Sequence, residues 1–356
     1  MELSKEQQKH IMNKVTEKDT QKHTRKFHIH ITKPVGIAIF STLMLIMAII
    51  IGFHHNPFAD PNDELTKKII AISLIVIAEA AFVLLYDKVT VLPIELWQNR
   101  HLIWKLAKND FKKRYAGSYL GAVWAMVQPV VTVVMYYIVF DVIMKAGDQV
   151  GARSTSIPYV LFLTAGLVPW FYFSEALNNG TQALIEYSYL VKKVVFKISI
   201  LPIIKVIAAT FIHLFFMCVM LIIAAFYGFY PSIYTIQLLY YSFCTFIFVL
   251  ALCYSTCAIM VFFKDIAQII GIVLQIGMWA TPILWNIEAF DEKIQMYIKI
   301  NPLVYIVNGY RSSICEKTWF FEDFYSTMYF WIFTVVLFGI GCLIFKRLKP
   351  HFADVL

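Results

Sequence analysis

Long apolar runs alternate along the chain with short basic segments. Runs long enough to cross about 30 Å of hydrocarbon recur at 36–53, 69–86, 121–144, 159–178, 203–228, 233–263, 266–285 and 327–345. The pattern predicts eight membrane spans, and an even number leaves both chain ends on one face. That face then carries the basic tail with Lys5, Lys9, Lys14, Lys18, Lys22, Arg25, Lys26 and Lys33, as well as Lys192, Lys193, Lys197, Lys205, Lys264, Lys346, Arg347 and Lys349. Opposite loops hold Lys67, Lys68, Lys145, Arg153, Lys293, Lys299, Arg311 and Lys317. Basic residues beside spans mark the cytoplasmic side, so both termini are expected in the cytoplasm.

Between the second and third runs lies a different pattern. With about 100° per residue, Leu96, Trp97, Ile103, Trp104, Ala107, Phe111 and Tyr115 share one sector, while Lys105, Asn109, Lys112 and Lys113 face away. Arg100, Lys105, Lys108, Lys112, Lys113 and Arg114 make this stretch strongly cationic. An amphipathic helix over 96–120, lying in the plane of the cytoplasmic membrane face, is the expected element. Two roles fit it: a surface on which a soluble partner pushes, or an anchor for anionic lipid.

A third pattern fills 286–326, which is too long for a turn. Its apolar stretch from Pro302 to Tyr310 is too short to cross, and Asn301 and Pro302 interrupt the chain just before it. Two short helices dipping part-way into the outer leaflet are expected, a geometry tolerated only where protein or a water-filled cavity covers the backbone. The chain therefore divides into a basic tail (1–34), two additional spans (35–95), the interface helix (96–120) and a six-span unit (121–356) containing the re-entrant segment.

Composition agrees with this all-α polytopic membrane class. Hydrophobic residues make up 60% and charged residues 15%, where soluble domains carry about 25% charged. The net charge of +8 is accounted for by residues flanking spans, so no nucleic-acid partner is implied. Cys218, Cys244, Cys253, Cys257 and Cys342 lie in apolar runs and read as small buried hydrophobes. His28 and His30 stand on the polar tail, where two ring nitrogens are expected to be solvated, and no metal site is expected.

Enzymatic signatures are missing. There is no G-x-x-x-x-G-K-[ST], H-E-x-x-H or G-x-S-x-G. Glu79, Glu175 and His213 stand within the runs, too isolated to form a proton relay. His213 reads as a hydrogen-bonded core residue, and Glu79 as a group reaching toward the end of its span near Tyr86 and Asp87. Aromatic residues, in contrast, cluster: Tyr136, Tyr137 and Phe140 end the third run, and Trp170, Phe171, Tyr172 and Phe173 follow one another in the fourth, with Glu175 in the adjoining turn. Either an interfacial aromatic belt or a path on which sugars stack accounts for them, and the sequence does not separate the two.

Several separated stretches carry a family resemblance. NDFKKRYAGSYLGAVWAMVQPV (109–130), LTAGLVPWFYFSEALNNG (163–180), LVKKVVFKISILP (190–202), FFKDIAQII (262–270), WATPILW (279–285), NPLVYIVNGYR (301–311) and FKRLKPHFADVL (345–356) together resemble the membrane subunit of ABC exporters that move polysaccharides or teichoic acids. O-antigen, capsule and wall teichoic acid permeases belong to that group. The resemblance covers 96–356 with its motifs in order. It implies an interface helix built on Trp104, Asp110, Phe111, Arg114 and Tyr115, and outer re-entrant helices marked by Asn301, Pro302 and Arg311. It also implies an ATPase-coupling turn around Tyr189, Leu190, Lys192, Lys193 and Phe196.

The same resemblance implies a permease that is not itself an enzyme and holds no cofactor. ATP and Mg would be bound by two copies of a separate ATP-binding cassette subunit. A second copy of the chain would complete the conduit, membrane lipids would surround it, and a lipid-linked polysaccharide or teichoic acid would pass from the cytoplasmic to the outer face of the cell's inner membrane. A type-2 exporter of a drug or simple lipid is the alternative. Departures are Asn109 where the family usually has Arg, Lys197 where Pro is common, and the additional spans before residue 96.

Overall fold

The computed structural model describes residues 33–53, 61–114, 123–151, 155–191 and 197–356. Two long helices, α1 (Lys33–Phe53) and α2 (Pro61–Val89), form an antiparallel hairpin. Its seam is made by Phe40 stacked on Phe82, with ring centroids 3.8 Å apart, and by the Ser41 hydroxyl donating to the Glu79 carboxylate. Glu79 thus takes a partner for Oε1 across the hairpin from the facing helix, and does not reach toward Asp87. Asp87 itself pairs with Lys33 at 2.5 Å.

Pro93 sets the next boundary. A proline ring clashes with the carbonyl four residues earlier, here that of Val89, where α2 ends and α3 (Val91–Gln98) begins. A second break falls at Asn99, with φ −101° and ψ 14°, before α4 (Arg100–Arg114). The amphipathic stretch is therefore a helix of 15 residues preceded by a separate short one, not one helix from 96. Its expected continuation over 115–120 lies outside the described residues.

Helix α5 (Trp124–Tyr136) continues as a π-helical segment, Tyr137–Ile143, and a two-stranded hairpin pairs Gln149 with Ile157. Then come α6 (Tyr159–Thr181), the short α7 (Ala183–Glu186) and α8 (Ser188–Val191), α9 (Leu201–Phe226), α10 (Gln237–Phe262) and α11 (Ile266–Ala280). The chain closes with α12 (Glu292–Ile298), α13 (Pro302–Arg311), α14 (Phe324–Leu348) and α15 (Phe352–Val355).

Six helical segments among the described residues are long and apolar enough to cross a membrane: Lys33–Phe53, Lys68–Asp87, Tyr159–Thr181, Ile198–Phe226, Ile233–Phe262 and Phe324–His351. The chain is a multi-pass membrane protein. The other two expected spans appear as shorter apolar helices, Val130–Ile143 and Ile266–Ala280. Pro282 accounts for the second, because the residue before a proline is driven out of the helical region; Thr281 is extended, with ψ 138°. Fifteen residues at 1.5 Å each reach about 22 Å, less than the hydrocarbon thickness.

Helix α6 is the centre of the bundle. Burial is unbroken from Tyr159 to Trp170, because α9, α10, α11 and α13 pack around it. Helix α10 lies between α6 and α14, and α2 packs on the outer side of α14. Gly341 of α14 faces the backbone of α10, and a Cβ there would come within 2.7 Å of the Ala251 carbonyl oxygen. Small residues permit such close approach in membranes. His213 is buried against Tyr172, 4.4 Å between ring centroids, with Nε2 hydrogen-bonded to Ser242 (2.9 Å) and Tyr310 (3.0 Å).

Candidate functional site

One end of the bundle gathers α4, the turn between α6 and α9, and the last turns of α14. Helix α4 buries Ile103, Ala107 and Asp110 against α9, with Leu106 and Phe111 half-buried. Trp97 and Trp104 are 65% and 56% exposed. The buried stripe is therefore rotated from the expected sector and includes an acidic residue. Two causes act. The break at Asn99 takes Leu96 and Trp97 off the wheel of α4, and a buried ion pair at Asp110 sets the phase of what remains.

That pair is the centre of a polar cluster. Lys205 of α9, 4% exposed, donates to Asp110 Oδ1 at 2.8 Å and to Glu186 Oε2 at 2.5 Å. The Tyr187 hydroxyl donates to the same Asp110 oxygen, and its ring lies 4.9 Å beneath the Lys205 ammonium. Burial, followed by the bond to Asp110, raises the Tyr187 phenol well above its ordinary pKa, so it stays a protonated donor. Removing Lys205 strands the buried Asp110 carboxylate, at a typical cost of about 3–5 kcal/mol, whereas the Glu186 side chain is 45% exposed. Trp104 and Phe111 add ring contacts to Phe211 of α9, each at 5.5 Å between centroids.

The expected coupling residues follow directly. Tyr189 is 55% exposed, its ring 6.1 Å from that of Tyr187, while Leu190 packs against the core. Lys192, Lys193, Phe196 and Tyr115 lie outside the described residues, as does the side chain of Arg114. Where the chain resumes, the Ser199 carbonyl accepts from Tyr254 (2.9 Å), and the Ser199 hydroxyl accepts from Lys349 (3.2 Å), which stands 4.0 Å from Glu95 of α3. Both limbs of the turn are thus tied to other elements.

The aromatic residues separate into two sets. Tyr172 donates or accepts at Thr210 (2.8 Å), Phe173 stacks on Phe248 (5.6 Å), and Trp170 lies against Gly277 of α11. All three are buried inside the subunit. Tyr136, Phe140, Phe171 and Glu175 are half-buried and Tyr137 is exposed; Asn179 donates to Glu175 at 3.5 Å.

At the far end, Asn301 caps α13 by accepting from the Leu303 amide at 3.1 Å and donates to Thr281 at 2.9 Å. Pro302 occupies the first turn, where its missing N–H costs nothing. Arg311 is buried, donating to the carbonyls of Phe162 (3.3 Å) and Ile283 (3.0 Å) with its guanidinium 3.5 Å over the Phe162 ring. It borders a cavity of about 370 Å³ together with Asn308, Tyr305, Trp319 and Glu316. Among the described residues no group of three or more His, Cys, Asp or Glu is placed to hold a metal.

Glu186 and Tyr187 were not singled out by the sequence reading, and Lys205 was counted only as a flanking cation. One signal was available. Lys205 interrupts LPIIKVIAATF, an otherwise apolar helix start, and a lysine there requires a carboxylate from a neighbouring element.

Residues 101–315 match the family described as ABC-2 type transporter. The chain is 29% identical over 258 residues to an O-antigen export system permease protein RfbA of Klebsiella pneumoniae, covering 70% of this chain and 93% of that protein. It is 27% identical over 262 residues to the RfbA permease of Myxococcus xanthus, covering 73% and 97%. The family match spans more than half of the chain, and the chain belongs to the ABC-2 type transporter family, as a membrane-spanning permease subunit and not an enzyme.

Proposed function

We propose that the chain is the permease of an ATP-driven exporter carrying a lipid-linked polysaccharide from the cytoplasmic to the outer face of the inner membrane. The observation that carries the cargo is its similarity to O-antigen export permeases over 93–97% of their length. Their names offer no support for teichoic acid, and a drug or simple lipid fits them less well. Two copies of the chain enclose the conduit, and two ATP-binding cassette subunits, holding ATP and Mg, dock at the basic end. The lysines and arginines of that end support reading it, and both termini with it, as cytoplasmic.

Nucleotide-driven closure of the ATPase pair moves the turn at 189–196 and α4, a two-state displacement passed to the spans. The exposed Tyr189 and Trp104 and the cationic face of α4, with Lys105, Lys108, Lys112 and Lys113 exposed, support docking there. Within the conduit, Tyr136, Tyr137, Phe140, Phe171 and Glu175 retain exposed surface for sugars, while Trp170, Tyr172 and Phe173 back the wall from inside the subunit. Asn301, Pro302 and Arg311 hold the outer re-entrant helix that covers the exit.

The test is reconstitution of the chain with its ATP-binding subunit in vesicles containing a lipid-linked O-polysaccharide. Glycan is expected on the far face only with ATP and Mg. Equal transport with ATP withheld, or failure to bind any ATP-binding subunit, overturns the reading.

A further inference from the structure

We infer that Lys205 is the joint through which the coupling turn, the interface helix α4 and span α9 move as one body, a positioning residue for transport. The inference rests on the reading above, in which an ATPase docks at the turn.

Three elements meet at one ammonium group. Asp110 comes from α4 at 2.8 Å, Glu186 from α7 at 2.5 Å, and Lys205 itself from α9. Tyr187 closes the figure, bonding Asp110 by its hydroxyl and lying under Lys205 by its ring. Glu186 and Tyr187 immediately precede the expected docking residues Tyr189 and Leu190, so a displacement of the turn acts on the cluster at once.

Beside this cluster α4 packs on α9 through apolar side chains: Ile103 and Ala107, and the Trp104 and Phe111 rings on Phe211. Apolar contacts are non-directional and single out no particular pair of atoms. The Lys205 and Asp110 side chains are 5% and 10% exposed while that of Glu186 is 45% exposed, so it is separation of the Lys205–Asp110 pair that strands ions away from water. The buried pair therefore ties α4 to α9 at one fixed point, and the turn joins that point through Glu186 and through the Tyr187 hydroxyl on Asp110.

A buried ion cluster is weak evidence of stability, and its complete replacement by uncharged groups is often neutral or stabilising. That separates a joint from a structural prop. The triple variant Asp110→Asn, Glu186→Gln, Lys205→Met leaves no stranded charge. In vesicles holding the full permease and ATPase complex and a lipid-linked O-polysaccharide, it is expected to assemble and keep ATPase turnover, while glycan exported per ATP falls about tenfold, which corresponds to about 1.4 kcal/mol of lost coupling. Lys205→Arg alone, which keeps a charged multi-donor group facing Asp110 and Glu186, is expected to keep the native export per ATP.

Unchanged export per ATP in a folded triple variant overturns the joint. Should the triple variant not assemble, Asp110→Asn decides, because it weakens the α4 limb alone and keeps Lys205 paired to Glu186: a fall of about tenfold in export per ATP supports the joint and no change overturns it. Native complex that exports equally without ATP overturns the functional reading itself, whereas ATP-dependent native export with a normally coupled triple variant overturns only the joint.

Discussion

The α1–α2 hairpin and the α6 helix are both membrane spans, yet they relate to their surroundings in opposite ways. In α1 the buried residue is Ile51, while Leu43, Leu45, Ile46, Ile49 and Ile50 are exposed around the helix. In α6 burial is continuous over three turns, and the helix still contains Thr164, Ser174, Glu175, Asn178 and Asn179. Lipid demands apolar side chains of whatever faces it, and protein neighbours permit polar ones that they can hydrogen-bond. Apolarity in this chain therefore marks contact with lipid as much as burial in a core. The hairpin also lies outside the matched residues 101–315, and it meets the rest of the molecule through α14 and the Lys346 ammonium, which donates to the Asp87 carbonyl at 3.1 Å.

The contrast is sharpest in a pair of leucine truncations. Leu167→Ala opens a cavity at a residue 0% exposed and is expected to cost about 2–5 kcal/mol. Leu45→Ala, at 61% exposed, is expected to fall within about 0.5 kcal/mol, as surface changes do. Thermal scans of the detergent-solubilised protein read both. Equal losses would break the comparison, by showing the α1 surface to be packed against another protein.

Next in size is Gly309→Val on α13. A Cβ at this position would fall within the Tyr241 ring, which is itself buried, and overpacking of this kind costs about 1–3 kcal/mol. Tyr241→Ala in the same chain is expected to recover part of the loss in a thermal scan; no recovery would place the defect elsewhere. A smaller effect is expected for Tyr172→Phe, which keeps the stack on His213 and removes one hydrogen bond to Thr210, worth about 0.5–1.5 kcal/mol. Export per ATP should be nearly unchanged in that variant, because the hydroxyl points into the subunit. A large fall in export without a fall in melting temperature would return Tyr172 to the glycan path.

Periodicity and flanking charge located most of the helices. The 302–310 stretch stands as a short helix with Asn301 and Pro302 at its start, for the local capping reasons visible in the sequence. Rotation was another matter. The wheel of α4 put Trp104 with Ala107, whereas the ion pair at Asp110 turns Trp104 outward, and nothing local to 96–120 reveals a lysine 95 residues later. The cluster Trp170–Phe173 shows the same limit: on a helix surrounded by protein, neighbouring positions face different partners, so a run of aromatics does not define one surface. Span length was overestimated at 266–285 because Thr281, Pro282 and the apolar residues after them extend the hydropathy run beyond the point where Pro282 ends the helix.

The smallest expected effect lies at the open end of the hairpin. Lys33 and Asp87 are 2.5 Å apart, with side chains 52% and 70% exposed. Water and salt screen such a pair, and ordering two mobile side chains offsets much of the attraction, so its worth is about 0–1 kcal/mol. Asp87→Asn is expected to leave melting temperature almost unmoved, and its effect should vanish as salt is raised, since the Debye length falls to about 3 Å at 1 M. The buried Lys205–Asp110 pair, with side chains 5% and 10% exposed, is shielded from that screening. A melting-temperature loss in Asp110→Ala that persists at high salt, beside one in Asp87→Asn that does not, follows directly from the two environments. If both losses vanished in salt, the cluster at Lys205 would be open to water, and the distinction between the lipid-bathed hairpin and the protein-packed bundle would fail at the place where it matters most for coupling.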